Sequence, residues 1–589
     1  MKKRILAVLL AALMLMGILA ACGNNNPTDP ANPQQGGNNP ATPSTKVNFE
    51  VPAGGYDGSA VTVVFYHTMG AKLQAVLDLY IAEFNALYPN ITIEAKNMGG
   101  YDDVREQIVT EITVGNQPNI AYCYPDHVAL YNMAKAVTTL DNLIDSEITV
   151  NRADGTTEIL GLTAEQKADF IEGFYNEGAE FGDGLMYTMP FSKSTEVLYY
   201  DKTFFEANNI KVPTTWDELE SVCAQIKAID PKSIPLGYDS EANWFITMCE
   251  QLDSDYTSAR GDHFLFDNDT NKEFVKKFNS WYSKGYLTTQ TIYGSYTSGL
   301  FTSKEETRSY MSIGSSAGAT KQRPTANEDG SYPFEVGIAP IPQINAEAPK
   351  VISQGPSVCI FQKSNPQEVI ASWLLVKYLT TNVEFQADFS MASGYVPVLK
   401  SVANDPTYNK FVNGETKYVT LGADAQKYEA KVEDATVFTL DETANTITAT
   451  VGESTVVYNV TKVGEQYKIS YTEGDKTYYL DGTTKNKKLV GVENADDAKL
   501  FTLTAVEGGV KVSAIIGGAD GYTYVAALAA KICLEQADAY YTSPAFNGSS
   551  TARDQVGALL TKLLTEKDLT DSIVDSAFQD AIDECEYSQ

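Results

Sequence analysis

The run GSSAG, Gly314 to Gly318, has the spacing of a hydrolase nucleophile elbow. Enzymes of that kind need a histidine after the serine in the chain, and His67, His127 and His263 all precede Ser316. The run therefore reads as a strand-to-helix turn whose hydroxyls and N–H groups face a cleft. DNDTNKEF opens like a calcium loop, with Asp267, Asp269 and Asn271 at alternate positions. Lys272 stands in the glycine place and Phe278 in the place of the bidentate glutamate, so these residues suit a helix cap better. The histidines lack zinc-ligand spacing. Among 76 acidic residues, chance carboxylate pairs carry no signal for glycoside cleavage. No catalytic group, metal or cofactor is expected, and the chemistry left is binding.

Binding chemistry needs elements to hold it. With 589 residues, 43% hydrophobic and 20% charged, the chain can bury large cores and should divide into two or three units. A formal net charge of −32 argues against a nucleic-acid or anionic-membrane surface. Cys123, Cys223, Cys249, Cys359, Cys533 and Cys585 lie among apolar neighbours with no C-x-x-C pair, which favours buried thiols over a disulfide framework.

From Ala60 the text alternates strands and helices. AVTVVFY is a β-branched run, and the following stretch places Leu73, Val76, Leu77, Tyr80, Ile81, Phe84 and Leu87 on one helical face. ITIEA is the next strand, a helix from Tyr101 to Val114 turns Val104, Ile108 and Ile112 inward, and NIAYCY closes a β-α-β-α-β series. Such a series pairs in parallel, and open α/β sheets bind ligands at strand carboxyl ends. In VPTTWDELESVCAQIK, Thr215 and Glu218 are spaced as a capping box, and another long helix follows Pro366.

PTTWDEL and the WLLVKYL of the later helix resemble segments of type 1 extracellular solute-binding proteins, which feed ABC importers; Leu375 stands where that family has an aromatic residue. FYHTMG, MPFSKSTEVLYYDKTFF, YMSIGSSAG, EVGIAPIP and SGYVPV extend the resemblance in order, and FYHTMG, GGYDD and FSKST are similar to the glycerol-phosphate and oligosaccharide branch. The resemblance implies a two-lobed, periplasmic-binding-protein-like (type II) α/β fold and a monomer without enzymatic activity, binding a small carbohydrate between its lobes and docking on ABC permease subunits. It places Tyr66, His67, Tyr101, Asp126, Ser194, Trp244, Ser315, Ser316, Gly355 and Tyr395 at the cleft, with Trp244 and Tyr395 as aromatic platforms. The arginine that glycerol-phosphate binders present near the last crossing has only Arg553 as a counterpart, which shifts the expectation toward a neutral sugar.

The amino terminus supplies an address. Lys2, Lys3 and Arg4 precede an uncharged run from Ile5 to Ala21, and the LAACG around Cys22 resembles a bacterial lipobox. Residues 1–22 are expected to be a lipoprotein signal, Cys22 the lipidated residue, and the protein to sit outside the cytoplasm on the cell membrane. A tether over 23–58 follows, with no Val, Ile, Leu, Met or aromatic residue through Lys46. Lobe 1 is expected over 59–190 plus 312–362, and lobe 2 over 191–311, 363–415 and 525–589. Between them, 416–524 alternates β-branched runs with turns and repeats itself: KYVTLG returns as TYYLDG, and DATVFTL as DAKLFTL. This predicts an all-β module inserted in the second lobe, mildly similar to β-trefoil repeats or else a small sandwich.

Overall fold

The computed structural model describes residues 47–587 except 326, 328–331, 414–416, 423–434, 452–453, 465, 486–487 and 517–523. Cys22, the signal and most of the tether lie outside the described residues. The last part of the expected tether is docked: Phe49 is buried, and the Asn48 amide donates to the Val137 carbonyl at 2.8 Å. Sparse apolar content hid this, because one phenylalanine and one asparagine fix the segment.

The strands and helices that matter run in this order. The first series is β1 (Val61–His67), α1 (Ala71–Leu87), β2 (Ile91–Asn97), α2 (Tyr101–Ile112), β3 (Ile120–Cys123), α3 (Pro125–Met133) and β4 (Thr188–Pro190). The chain continues through β5 (Glu196–Asp201), α4 (Trp216–Ile229), β6 (Leu236–Tyr238), α5 (Glu241–Gln251), α6 (Asp269–Ser283), β7 (Leu287–Thr289), β8 (Met311–Ser315) and β9 (Val336–Pro340). Then come β10 (Ser357–Ile360), α7 (Pro366–Thr381) and α8 (Val383–Ser393).

The first sheet has the order β2-β1-β3-β10-β4, with β1 parallel to β2 and β3, as the alternating pattern requires. α1 buries Val76, Leu77, Tyr80, Ile81 and Phe84 on the face its spacing defines. The second sheet has the order β9-β5-β8-β6-β7, covered by α4, which starts with the Thr215 and Glu218 capping box. Asn268, rather than the acids beside it, caps α6 by accepting from Asn271 N at 3.0 Å.

Two expected segments exchange lobes. β8 pairs antiparallel with β5 from Met311↔Tyr200 to Ser315↔Glu196, so the GSSAG run belongs to the second sheet. α7 and α8 pack on the first: Val369, Ile370 and Trp373 share a core with Val63 and Phe65, and the Trp373 indole donates to the Leu160 carbonyl at 2.8 Å. Helical periodicity fixes which face is buried, not which sheet receives it.

The all-β segment comprises β11 (Lys417–Thr420), β12 (Val437–Asp441), β13 (Thr446–Val451), β14 (Ser454–Val463), β15 (Gln466–Glu473), β16 (Lys476–Lys485), β17 (Lys488–Val492), β18 (Thr502–Val506) and β19 (Gly509–Ile516). Strands β12 to β17 are a meander in chain order, β19 joins β12 to β11, and β18 pairs with β19. Tyr467 and Phe501 exchange backbone hydrogen bonds of 2.8 Å, curling the sheet until the start of β18 meets β15. A six-strand meander is not the order of a trefoil. The repeated F-T-L phrases open the hairpins β12–β13 and β18–β19, each burying its phenylalanine, Phe438 or Phe501. Among the described residues the module rests through β16 and β17 on α8 and α1 of the first lobe. Three helices complete the chain: α9 (Tyr524–Glu535), α10 (Ser549–Leu564) and α11 (Asp571–Tyr587). The six cysteines among the described residues, Cys123, Cys223, Cys249, Cys359, Cys533 and Cys585, are buried thiols.

Where the chain crosses between lobes, Ser194 and Gln354 exchange backbone hydrogen bonds of 2.8 Å. Beside them the Lys193 ammonium, with no exposure, donates to Glu177 Oε1 at 2.6 Å, to the Gly355 carbonyl at 3.1 Å and to Ser357 Oγ at 3.3 Å. Ser353 and Ser357 hydroxyls donate to Glu177 at 3.2 and 3.0 Å. Lys193→Met strands a buried carboxylate and should lower unfolding free energy by about 3–5 kcal/mol, with much of it regained in Lys193→Met/Glu177→Leu. Urea denaturation checks this; an unchanged midpoint in the single variant contradicts it.

Candidate functional site

A cavity of about 290 Å³ opens between the lobes. From the first lobe it receives the opening turns of α2 and α3, bringing Tyr101, Asp102, Arg105, Tyr124, Asp126 and His127. The second lobe brings Tyr256, Thr257 and the first turns of α10, with Ser550, Arg553 and Asp554. Glu177, the crossing residues Ser353 to Gly355 and the Thr542 to Ala545 stretch also line it.

Local sequence explains these positions. Tyr101 follows the glycines of GGYDD, where Gly100 N donates to Asp103 Oδ2 at 2.7 Å and starts α2. Pro125 occupies the first position of α3, where its missing N–H is harmless. Gly355 has φ of +87°, and a Cβ there would lie 2.6 Å from the Ser192 carbonyl oxygen, so the crossing strands need glycine.

The lining alternates charge. Arg105 Nη2 lies 3.1 Å from Asp102 Oδ1, and Nη1 reaches across the cleft to Ser550 Oγ at 3.4 Å. Arg553 donates to Asn243 Oδ1. His127 is buried, which lowers its pKa and favours the neutral ring, and its Nδ1 has no hydrogen-bond partner. Thr257 Oγ1 is buried and unpartnered as well. Tyr101 and Tyr124 set their rings 4.8 Å apart, and Tyr395 stands behind Tyr101, its phenol raised by burial.

Of the ten residues expected at the cleft, Tyr101, Asp126 and Gly355 line the cavity. Tyr66 turns aside, its hydroxyl donating to Glu111 Oε1 at 3.2 Å. His67 is a core residue: burial holds its pKa down at about 4, and its Nδ1 accepts from Met69 N at 3.1 Å. Ser194 serves the crossing through its backbone. Ser315 Oγ accepts from Ala317 N at 3.2 Å and caps the turn, and buried Ser316 accepts from Thr195 N at 3.2 Å. Trp244 is not a platform. It has no exposure and stacks on Phe278 at 4.0 Å and Tyr238 at 4.7 Å in the second lobe's core. The rings at the cavity wall are Tyr101, Tyr124 and Tyr256. Sequence reasoning missed Arg105, His127 and Thr257, which carry no motif; Thr257 reaches the other two only across the cleft between the lobes.

Residues 80–416 match the family described as bacterial extracellular solute-binding protein. The chain belongs to that family. This solute-binding protein is 25% identical over 185 residues to the sn-glycerol-3-phosphate-binding periplasmic protein UgpB of Shigella flexneri, a stretch covering 31% of this chain and 38% of the relative. The fold is that of the cyclic α-maltosyl-1,6-maltose binding protein from Arthrobacter globiformis, with a TM-score of 0.56 and 16% identity over 90% of this chain and 99% of the other. The maltose/maltodextrin-binding domain from Bdellovibrio bacteriovorus, bound to maltotriose, gives a TM-score of 0.51 and 13% identity over the same shares.

The burial of Trp244 sets an expectation. Trp244→Ala should cost about 3–5 kcal/mol of folding stability and leave solute affinity per folded molecule unchanged. Chemical denaturation and calorimetric titration on the same variant check both halves; weakened binding with intact stability would return Trp244 to the site.

Proposed function

We propose that this protein captures a neutral sugar or oligosaccharide in the inter-lobe cavity and hands it to the membrane subunits of an ABC importer, working outside the cytoplasm from a lipid anchor at Cys22. The observation that carries the solute class is the pair of unpartnered polar atoms, His127 Nδ1 from one lobe and Thr257 Oγ1 from the other, beside the rings of Tyr124 and Tyr256. Sugar hydroxyls both donate and accept, and a sugar's C–H face suits an aromatic wall. Glu177 is already neutralised by Lys193, and Asp102, Asp126 and Asp554 outnumber Arg105 and Arg553, which disfavours a dianion. The protein does no chemistry on the solute. Contacts from both lobes favour the closed arrangement, and that shape is what a permease recognises.

A glycerophosphate ester is the second reading. Arg553 lines the cavity with the α10 amino terminus and Ser550, a grouping suited to a phosphate. A surface lipoprotein acting through the β module would instead bind polymer through that module alone.

Calorimetry with maltose, maltotriose, cyclic maltodextrins and sn-glycerol 3-phosphate separates these readings. A neutral sugar should bind, and His127→Ala and Thr257→Ala should each weaken it by about 0.5–1.5 kcal/mol. Binding of sn-glycerol 3-phosphate alone selects the second reading. For the anchor, Cys22→Ser should move the protein from the detergent to the aqueous phase; unchanged partitioning contradicts lipidation.

A further inference from the structure

We propose that Glu196, which does not reach the cavity, is the positioning residue for its second-lobe guanidinium: it fixes the Asn243 amide, and Asn243 fixes Arg553. This rests on the reading that Arg553 meets the solute.

Glu196 is the first residue of β5, directly after the lobe crossing, and is 1% exposed. Asn243 Nδ2 donates to Glu196 Oε1 at 3.1 Å, and the Tyr238 hydroxyl donates to Oε2 at 2.6 Å. Asn243 is buried in the first turn of α5, where its own N–H donates to the Ser240 cap at 3.2 Å. Its other end, Oδ1, accepts from Arg553 Nη2. An amide has one donor end and one acceptor end. Because Glu196 offers an acceptor, the Nδ2 end must face it and Oδ1 must face the Arg553 guanidinium. Without that acceptor the amide is free to flip, setting its N–H groups against a cation. Arg553 would then lose its hold and regain the freedom of a long side chain.

The charged and titratable groups facing Glu196 are Tyr238 at the end of β6, Asp239 just after it, Arg553 on α10 and Tyr541 near the crossing. Burial pushes the Glu196 carboxyl up to about 8, against the Tyr238 hydrogen bond and the Arg553 charge, which pull it down. At neutral pH it is thus an uncharged acid that still accepts from Asn243 through its carbonyl oxygen. Above about 8 the carboxylate forms and adds attraction for Arg553. Folded-state protonation is favoured, so this group's share of stability is complete below the unfolded glutamate value and is lost as pH rises through about 8.

The test reads Arg553 itself and needs no known solute. In the full chain labelled with 15N-arginine, the Arg553 Nε–Hε signal is the one lost in Arg553→Lys. Wild type should show it dispersed and protected from exchange at pH 6.5, moving with a midpoint near pH 8. Glu196→Gln, which keeps an acceptor toward Asn243, should hold the low-pH position with the step abolished. Glu196→Leu and Asn243→Ala should send the signal to the position of exposed arginines, with exchange at least tenfold faster. If Glu196→Leu does not fold, the Gln and Asn243→Ala arms decide. A signal unmoved in folded Glu196→Leu or Asn243→Ala, or a titration surviving in Glu196→Gln, overturns the proposal. Adding maltotriose or sn-glycerol 3-phosphate tests the reading separately. A signal governed by Glu196 but indifferent to both solutes overturns the cavity reading and leaves the positioning role standing. Solute binding with a signal indifferent to Glu196 does the reverse.

Discussion

A lysine ammonium with no exposure can persist only where every proton has an acceptor, and Lys193 meets that condition with Glu177, the Gly355 carbonyl and Ser357. Because those partners come from separate passages of the chain, the pair ties the lobe crossings to one another at the cavity floor. The cavity walls are referenced to this point. β5 leaves it carrying Glu196, Ser353 to Gly355 run along it, and the Tyr540–Tyr541 strand pairs with Val351–Ile352 just before α10 turns into the cleft. Loosening the pair would blur the relative position of all three.

On this base the cavity is built from helix beginnings. α2, α3 and α10 all start at its edge, and unsatisfied N–H groups would leave it strongly positive. Acids cancel that locally: Asp103 accepts from Gly100 N, and Asp126 accepts from His127 N at 3.1 Å. That offsets part of the positive field at two of the three helix starts, and His127 Nδ1 and Thr257 Oγ1 stay without hydrogen-bond partners in the lining. Arg105 and Ser550 already join the two walls across the gap at 3.4 Å.

Much of this was legible in the sequence, and the limits are instructive. Period-2 and period-3.6 patterns fixed the first β-α-β-α-β series, and a local capping box marked the start of α4. What local pattern does not encode is partnership across the chain. α7 is buried nearly all round, so its apolar content announces a core without saying which, and it covers the first sheet instead of the second. Trp244 has the same ambiguity. A tryptophan in the first turn of a helix suits a solute platform or a core, and only Phe278 and Tyr238 stacking on its faces decides. Arg553 was visible as a residue but not as a wall of the cavity, since α10 is brought there by packing on α5 and α6.

The β module fits the same logic of reference points. Its duplicated hairpins close around Phe438 and Phe501, so it has a core of its own. It rests on α1 and α8, which both belong to the body of the first lobe. Asp78 on α1 lies in the field of Lys476 and Glu493, and burial rather than those charges sets its raised pKa, as expected of a packed contact. A module seated this way travels with one lobe. If the lobes close over a solute by turning about the crossings near Lys193, an insertion seated across both would have to break its contacts at each opening. Seated on one, it would leave such a motion unobstructed.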